Sequence, residues 1–277
     1  MTTPGPVSLP LADGGTLEIK GVLVMGVLNA TPDSFSDGGE IDDPFERARR
    51  IDAMMEAGVD TIDIGGESSR PGHTPVPADE EISRVLPIID DVRGRAPRIP
   101  ISIDTRKAIV ARQALDWGAS FVNDVSSLSD PSMGGVVSDA DCAYVAMRHA
   151  DCADRIVDCC RSQLIDLIDR ARQAGISESH IVVDPGLGFA PRPGPSVEDN
   201  LALIDGVADY ALGRPVLVGA SRKRFVQRLA AQHGMTPVEQ SVDLAVRAAR
   251  AGASIVRVHD VKQTIFALAE AGLRPTG

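Results

Sequence analysis

Aromatic residues are scarce in this chain: six Phe, two Tyr and one Trp make up 3% of its 277 residues. Its core must be aliphatic, and Val, Ile, Leu and Ala are sufficient to fill a barrel interior. Net positive charge is absent too. The formal charge of −11 argues against nucleic acid or an anionic membrane surface as partner. It leaves room for a small anionic substrate, because a few local cations outvote the global charge. No apolar run reaches the ~20 residues of a membrane span. The opening MTTPGPVSLP has no basic segment leading into an apolar one, so no secretion leader is expected. Cysteines are few and crowded: Cys142, Cys152, Cys159 and Cys160 form no C-x-x-C pair. Even with His149 added, their spacing matches no zinc-ligand pattern. The expectation is four reduced, partly buried thiols in a cytoplasmic protein.

What the chain has in abundance is alternation. The stretch Val22–Gly39, VLVMGVLNATPDSFSDGG, sets the plan. Val22–Leu28 is an apolar, β-branched run, the pattern of a strand buried on both faces. At Asn29 it turns polar. Pro32 lacks an N–H and keeps its neighbour extended, and Gly38-Gly39 close a long loop. Seven more strands follow the plan: Asp60–Ile64, Ile101–Asp104, Ser120–Asn123, Ala143–Met147, Ile181–Asp184, Pro215–Gly219 and Ser254–Val258. Helical patterns fill the spaces between them. Asp43-Pro44 starts one and Gly58 stops it. Asp79–Arg93 is helical with a kink expected at Pro87. Pro131-Ser132 starts a short helix. Ala153–Ala174 and Val197–Tyr210 each read as one helix, and Val261–Ala271 is the last. Eight strand–helix units in one domain length predict parallel strands closed into a single (β/α)8 TIM barrel over residues 22–277. Residues 1–21, with a hairpin signal at Gly14-Gly15, are expected to form an N-terminal extension against one barrel end.

A weak repeat runs through the pattern. Gly58, Gly118 and Gly252 each end a helix, and five residues after each comes a polar residue: Asp63, Asn123 and Arg257. They lie on the second, fourth and eighth strands. Alternate strands share a layer of side chains in such barrels, so the three are expected in one layer.

Barrel active sites lie at the C-terminal strand ends. Those ends carry Asn29, Asp63, Asp104, Asn123, Arg148 with His149, Asp184, Lys223, and Arg257 with His259. Polar groups ending apolar strands are costly unless paired or used, and a set of this size points to a site. Asp104, Asn123 and Asp184 suit a flat heterocycle with an amidine-like or lactam edge. Arg257, His259, Lys223 and Arg70 suit phosphate or carboxylate. Asn29 and Asp33 are oxygen ligands for a Mg²⁺ held on a diphosphate. Ser221 is expected to open the helix after strand seven, where it serves as an N-cap or captures an anion.

The stretches GVLNATPDSFSDGG, DIGGESSRPG, SIDT, VND, DPGLGF, VGASRKRF and RVHD occur in this order from about Val22 to Val261. In them the chain resembles the dihydropteroate synthases, pterin-binding barrels. The resemblance implies condensation of 6-hydroxymethyl-7,8-dihydropterin diphosphate with p-aminobenzoate to 7,8-dihydropteroate, with Mg²⁺ as cofactor. It implies that Ser69, Asp104, Asn123, Asp184, Lys223, Arg257 and His259 bind the pterin diphosphate. It places Phe35, Arg70, Phe189 and Ser221 on the p-aminobenzoate side and Asn29 at the metal. Asp104, Lys223 and Asp33 are the residues expected to carry the reaction, and a homodimer is the expected assembly. The chain departs from the family at three places: Ser69 replaces a usual Thr, Ala190-Pro191-Arg192 replaces Gly-Lys after DPGLGF, and Met147-Arg148-His149 opens a shortened fifth loop where Met-His is usual. Arg148 and His149 read either as site residues or as a surface-facing charged pair. Two alternatives accompany the synthase reading: a paralogue that binds pterin without the reaction, and a pterin-dependent methyltransferase. Neither needs both SRK and the TPDSFSDGG loop.

Overall fold

The apolar runs pair side by side as their pattern requires. The structure, a computed structural model, describes residues 7–30, 43–68, 74–148, 152, 155–189 and 196–274. It opens with an antiparallel hairpin of β1 (Val7–Pro10) and β2 (Thr16–Ile19). Eight parallel strands follow: β3 (Leu23–Asn29), β4 (Thr61–Gly65), β5 (Ile101–Asp104), β6 (Phe121–Asp124), β7 (Tyr144–Met147), β8 (Ile181–Asp184), β9 (Leu217–Val218) and β10 (Ile255–Val258). Their order is β8-β7-β6-β5-β4-β3-β10-β9. A parallel bridge between Val183 and Val216 joins the last edge to the first, and the Val183 N–H donates to the Pro215 carbonyl at 3.0 Å. The barrel is closed at its shortest strand, where Pro215 contributes no N–H.

Among the described residues ten α-helices pack around it: α1 (Pro44–Ala57), α2 (Ala78–Arg95), α3 (Ala108–Asp116), α4 (Met133–Asp139), α5 (Ile156–Gln173), α6 (Val197–Asp205), α7 (Val207–Tyr210), α8 (Arg224–His233), α9 (Pro237–Arg250) and α10 (Val261–Glu270). Local chemistry sets their ends. The Asp43 carboxylate accepts from the Phe45 N–H at 3.0 Å ahead of Pro44, and Gly58 closes α1 at φ +85°. Ser196 with Asp199, and Thr236 with Glu239, form reciprocal capping boxes at α6 and α9. α2 runs unbroken through Pro87. The expected single helix over Val197–Tyr210 is split at Gly206, where a Cβ would stand 2.9 Å from Val157 on α5. Close approach of two helices, rather than a positive φ, requires that glycine.

The hairpin covers the end of the barrel away from the strand C-termini. Leu9, Leu11 and Leu17 are buried, the Ala12 N–H donates to the Ser120 carbonyl, and the Ala143 N–H donates to the Pro10 carbonyl, both at 2.9 Å. Among the described residues no helix is long and apolar enough to cross a membrane.

The expectation of four reduced thiols fails. Cys152 and Cys159 form a disulfide, because the first turn of α5 carries Cys159 back against the loop that follows β7. Cys142 and Cys160 are free and buried, and burial pushes both thiols up to about 12.

Candidate active site

The polar layer expected from the glycine repeat forms at the mouth of the barrel. Arg257 on β10 donates through Nε to Asp63 on β4 at 2.5 Å and through Nη2 to Asp104 on β5 at 2.8 Å. Asn123 on β6 donates through Nδ2 to both Asp63 oxygens at 3.3 Å. Asp63 is fully buried. Because a carboxylate only accepts, it turns the Asn123 amide so that Nδ2 faces inward, which leaves Oδ1 and the second N–H for a ligand. Burial works against the Arg257 charge, yet Asp63 and Asp104 raise its pKa above the usual value. Burial lifts Asp104 to about 7, opposed by Arg257 and Arg106 and reinforced by Asp63 and Glu81.

Across the mouth, Asp184 ends β8. Its Oδ1 accepts from the Gly186 N–H at 2.7 Å. Burial raises its pKa, and Lys223, Gly186, Arg257 and Arg148 pull it back. Lys223 donates through Nζ to the Leu187 carbonyl and lies 4.4 Å from the centroid of the Phe189 ring, a cation–π contact. Loss of solvent lowers Lys223 to about 8, with Asp184 and Asp104 opposing.

The Ser221 hydroxyl sits 3.0 Å from His259 Nδ1 and accepts from the His259 N–H at 3.3 Å. Ser221 does not open the helix after β9. Arg222 takes a left-handed φ of +58°, so α8 starts at Arg224 with Lys223 as its cap. The expected helix N-terminal anion site at Ser221 is replaced by a hydroxyl–imidazole pair.

Asn29 ends β3 with its Oδ1 sealed from solvent and lacking a hydrogen-bond partner among the described residues. Its neighbour Gly65 leaves it open: a Cβ there would stand 3.0 Å from that oxygen. An unpaired hard oxygen at this position fits a Mg²⁺ ligand. Among the described residues no three His, Cys, Asp or Glu side chains group as a metal cage, so such an ion would take its remaining ligands from substrate and water.

The structure therefore brings together Asn29, Asp104, Asn123, Asp184, Phe189, Ser221, Lys223, Arg257 and His259. Asp33, Phe35, Ser69 and Arg70 lie outside the described residues, as does His149. Arg148 is no surface residue: it is 2% exposed, because its Nε–H reaches inward to the Pro185 carbonyl at 2.8 Å. A second acidic cluster has no counterpart in the sequence reading. Lys107, after β5, donates to both Glu67 and Glu81, and Glu81 on α2 is 1% exposed. This pins the start of the loop after β4 to α2 and to the loop after β5.

Comparison with known proteins places this mouth. The pterin binding enzyme family model matches residues 25–259. The chain is 40% identical over 246 residues to the dihydropteroate synthase of Bacillus subtilis, covering 87% of this chain and 84% of that protein. It belongs to the dihydropteroate synthase family. A probable bifunctional folylpolyglutamate synthase/dihydropteroate synthase of Haloferax volcanii is 41% identical over 261 residues, covering 90% of this chain. Here the chain spans 30% of the relative's length. The Xanthomonas albilineans dihydropteroate synthase, solved with 4-aminobenzoic acid, superposes with a TM-score of 0.84 at 36% identity, covering 96% of this chain and all of that one. The same enzyme has been solved in complex with 7,8-dihydropteroate.

Proposed function

We propose that this chain is a dihydropteroate synthase: it joins p-aminobenzoate to 6-hydroxymethyl-7,8-dihydropterin diphosphate and releases diphosphate. The observation that carries the reading is the buried Asp63–Arg257–Asp104 network facing Asp184 and Lys223 across one barrel mouth, in a chain of this family.

The pterin edge meets Asp184, Asn123 and Asp104, whose positions are set by strand register. The Lys223 ammonium donates to the pterin carbonyl region. As the carbon–oxygen bond to diphosphate lengthens, positive charge builds on the pterin methylene and ring. The ionised Asp104 and Asp184 carboxylates, already fixed in place, stabilise it. Arg257 and His259 hold the departing diphosphate, with Ser69 completing the grip. The amine nitrogen forms the new bond to the methylene carbon and then gives up one proton to solvent. An aromatic amine is neutral at pH 7 and needs no general base. Asn29 and Asp33 would hold a Mg²⁺, whose charge would offset that of the leaving diphosphate. Phe35, Arg70, Phe189 and Ser221 frame the p-aminobenzoate.

A second copy of the chain is the partner we propose for the groove between α9 and α10. Val238, Val242, Val246 and Ala267 line that groove, and Phe266 beside it is 68% exposed.

The test is diphosphate release with and without p-aminobenzoate. Amine-dependent release that collapses in Asp104→Ala and Lys223→Ala supports the reading. Tight pterin binding without release would overturn it.

A further inference from the structure

The loop after β7 holds an arrangement that the reaction above does not use. Arg148 is fully buried, and it grips from behind the turn that begins at Asp184. Its backbone N–H donates to the Asp184 carbonyl at 2.9 Å, and its Nε–H donates to the Pro185 carbonyl at 2.8 Å. The turn has no room to slide, since a Cβ on Gly186 would stand 2.1 Å from the Arg148 carbonyl oxygen. The same glycine's N–H fixes the Asp184 carboxylate.

The far side of the guanidinium is held as well. Nη1 donates to Cys152 Sγ at 3.3 Å and to Gln163 Oε1 at 3.4 Å. Gln163 donates through Nε2 to Cys159 Sγ at 3.4 Å, and Cys152 is bonded to Cys159. Disulfide, amide and guanidinium thus make a closed ring joining the β7 loop to α5. A buried guanidinium is tolerated only where it is well bonded and charge-compensated, and the Asp184 carboxylate is within its electrostatic reach.

We propose that Arg148 is a positioning residue for Asp184, and that the Cys152–Cys159 disulfide is the clip that seats its guanidinium against the Asp184–Gly186 turn. Pterin recognition then depends on the thiol–disulfide state of the chain. This rests on the pterin-binding reading of Asp184 given above. The switching step is thiol–disulfide exchange. A small dithiol delivers two electrons and two protons to the bridge, leaves as a cyclic disulfide, and yields thiols at Cys152 and Cys159. The loop end that carries the Cys152 sulfur is then no longer tethered to α5.

The experiment uses the whole chain, purified without reductant. Denaturation and alkylation should add two labels, at Cys142 and Cys160, and four after dithiothreitol. Treatment of the native protein with dithiothreitol, and the Cys152→Ser/Cys159→Ser double variant, should each raise KM for the pterin diphosphate roughly tenfold. KM for p-aminobenzoate should stay unchanged. Reoxidation should restore the wild-type value but leave the double variant unaffected, which a general loss of stability would not produce. Arg148→Lys keeps the charge but loses the planar fork, and should match the reduced protein. Four labels before reduction would overturn the inference, as would a pterin KM indifferent to the bridge in a protein that still binds pterin. An oxidised wild type that binds no pterin would overturn the reading of Asp184 and this inference with it.

Discussion

Arg257 Nε lies 2.5 Å from Asp63 Oδ2, a contact that passes over β3, the strand lying between β4 and β10. One fully buried carboxylate thereby orients a cation and, through Asn123, an amide. A side chain at a strand end has freedom that a fixed counter-group removes, and Asp63 serves both partners at once, with Asp104 a second hold on Arg257.

Asp63→Asn should therefore damage the site without touching substrate. Removing one partner of a buried pair costs about 3–5 kcal/mol, reduced here because Asp104 still holds Arg257. The expected outcome is a loss of ~10²-fold in kcat/KM for the pterin diphosphate, with KM for p-aminobenzoate near wild type. Steady-state kinetics on both substrates check it. A drop of equal size for both would point to a folding defect.

The pH profile follows from two groups. Asp104 is raised to about 7, by burial first and then by Asp63 and Glu81 against Arg257 and Arg106. Below that value it takes up a proton and no longer offers charge to the pterin cation. Lys223 is lowered to about 8, by loss of solvent and by Arg257 against Asp184 and Asp104. Above that value it loses its charge. Plotted against pH, kcat/KM should be a narrow bell with limbs near these two values, as free-enzyme groups dictate. Lys223→Arg should abolish the alkaline limb and leave the acid limb in place.

Chelation of divalent cations should stop turnover, and Mg²⁺ should restore it. Asn29→Ala should raise the Mg²⁺ concentration for half-maximal rate by roughly tenfold, the loss of about 1.4 kcal/mol expected for one oxygen ligand. A magnesium titration of initial rates reads this directly. An unchanged titration would remove Asn29 from the metal site.

Lys107→Met removes the cation that Glu67 and the buried Glu81 share, leaving Arg106, 3.5 Å from Glu67, to compensate in part. The chain should lose ~3 kcal/mol of stability, read as a lower denaturant midpoint with unchanged slope. Glu81→Gln in the same background should recover part of the loss.

Phe266→Glu should split the proposed dimer into monomers with normal catalysis per chain, because the groove between α9 and α10 lies away from the strand ends that form the site. Sedimentation velocity across a concentration series distinguishes the two forms.

Most of the barrel was legible because its signals are local. Apolar runs ending in a lone polar residue marked the strands, and Gly58, Gly118 and Gly252 sit in the positive-φ positions that stop helices. The equal spacing from those glycines correctly grouped Asp63, Asn123 and Arg257, although it said nothing of which of them would bond. What escaped was set by tertiary contact. Arg148 stayed open between site and surface because nothing in Met147-Arg148-His149 announces a carbonyl at Pro185. The disulfide escaped because pairing depends on where a loop turns back, not on spacing. Ser221 was misplaced as the opening of a helix because Arg222 adopts a conformation that sequence rules grant to glycine or asparagine. The Lys107 cluster was invisible because its members come from three separate segments.

The hairpin at the start of the chain has a consequence for the order of events during synthesis. Its hydrogen bonds go to Ser120 and Ala143, residues made much later. Its leucines are buried in the finished barrel. The hairpin, made before the barrel strands, is thus seated only once β6 and β7 have been made. Removing it should leave nascent barrels that assemble but stay unsealed at the base, vulnerable there to proteases and to one another.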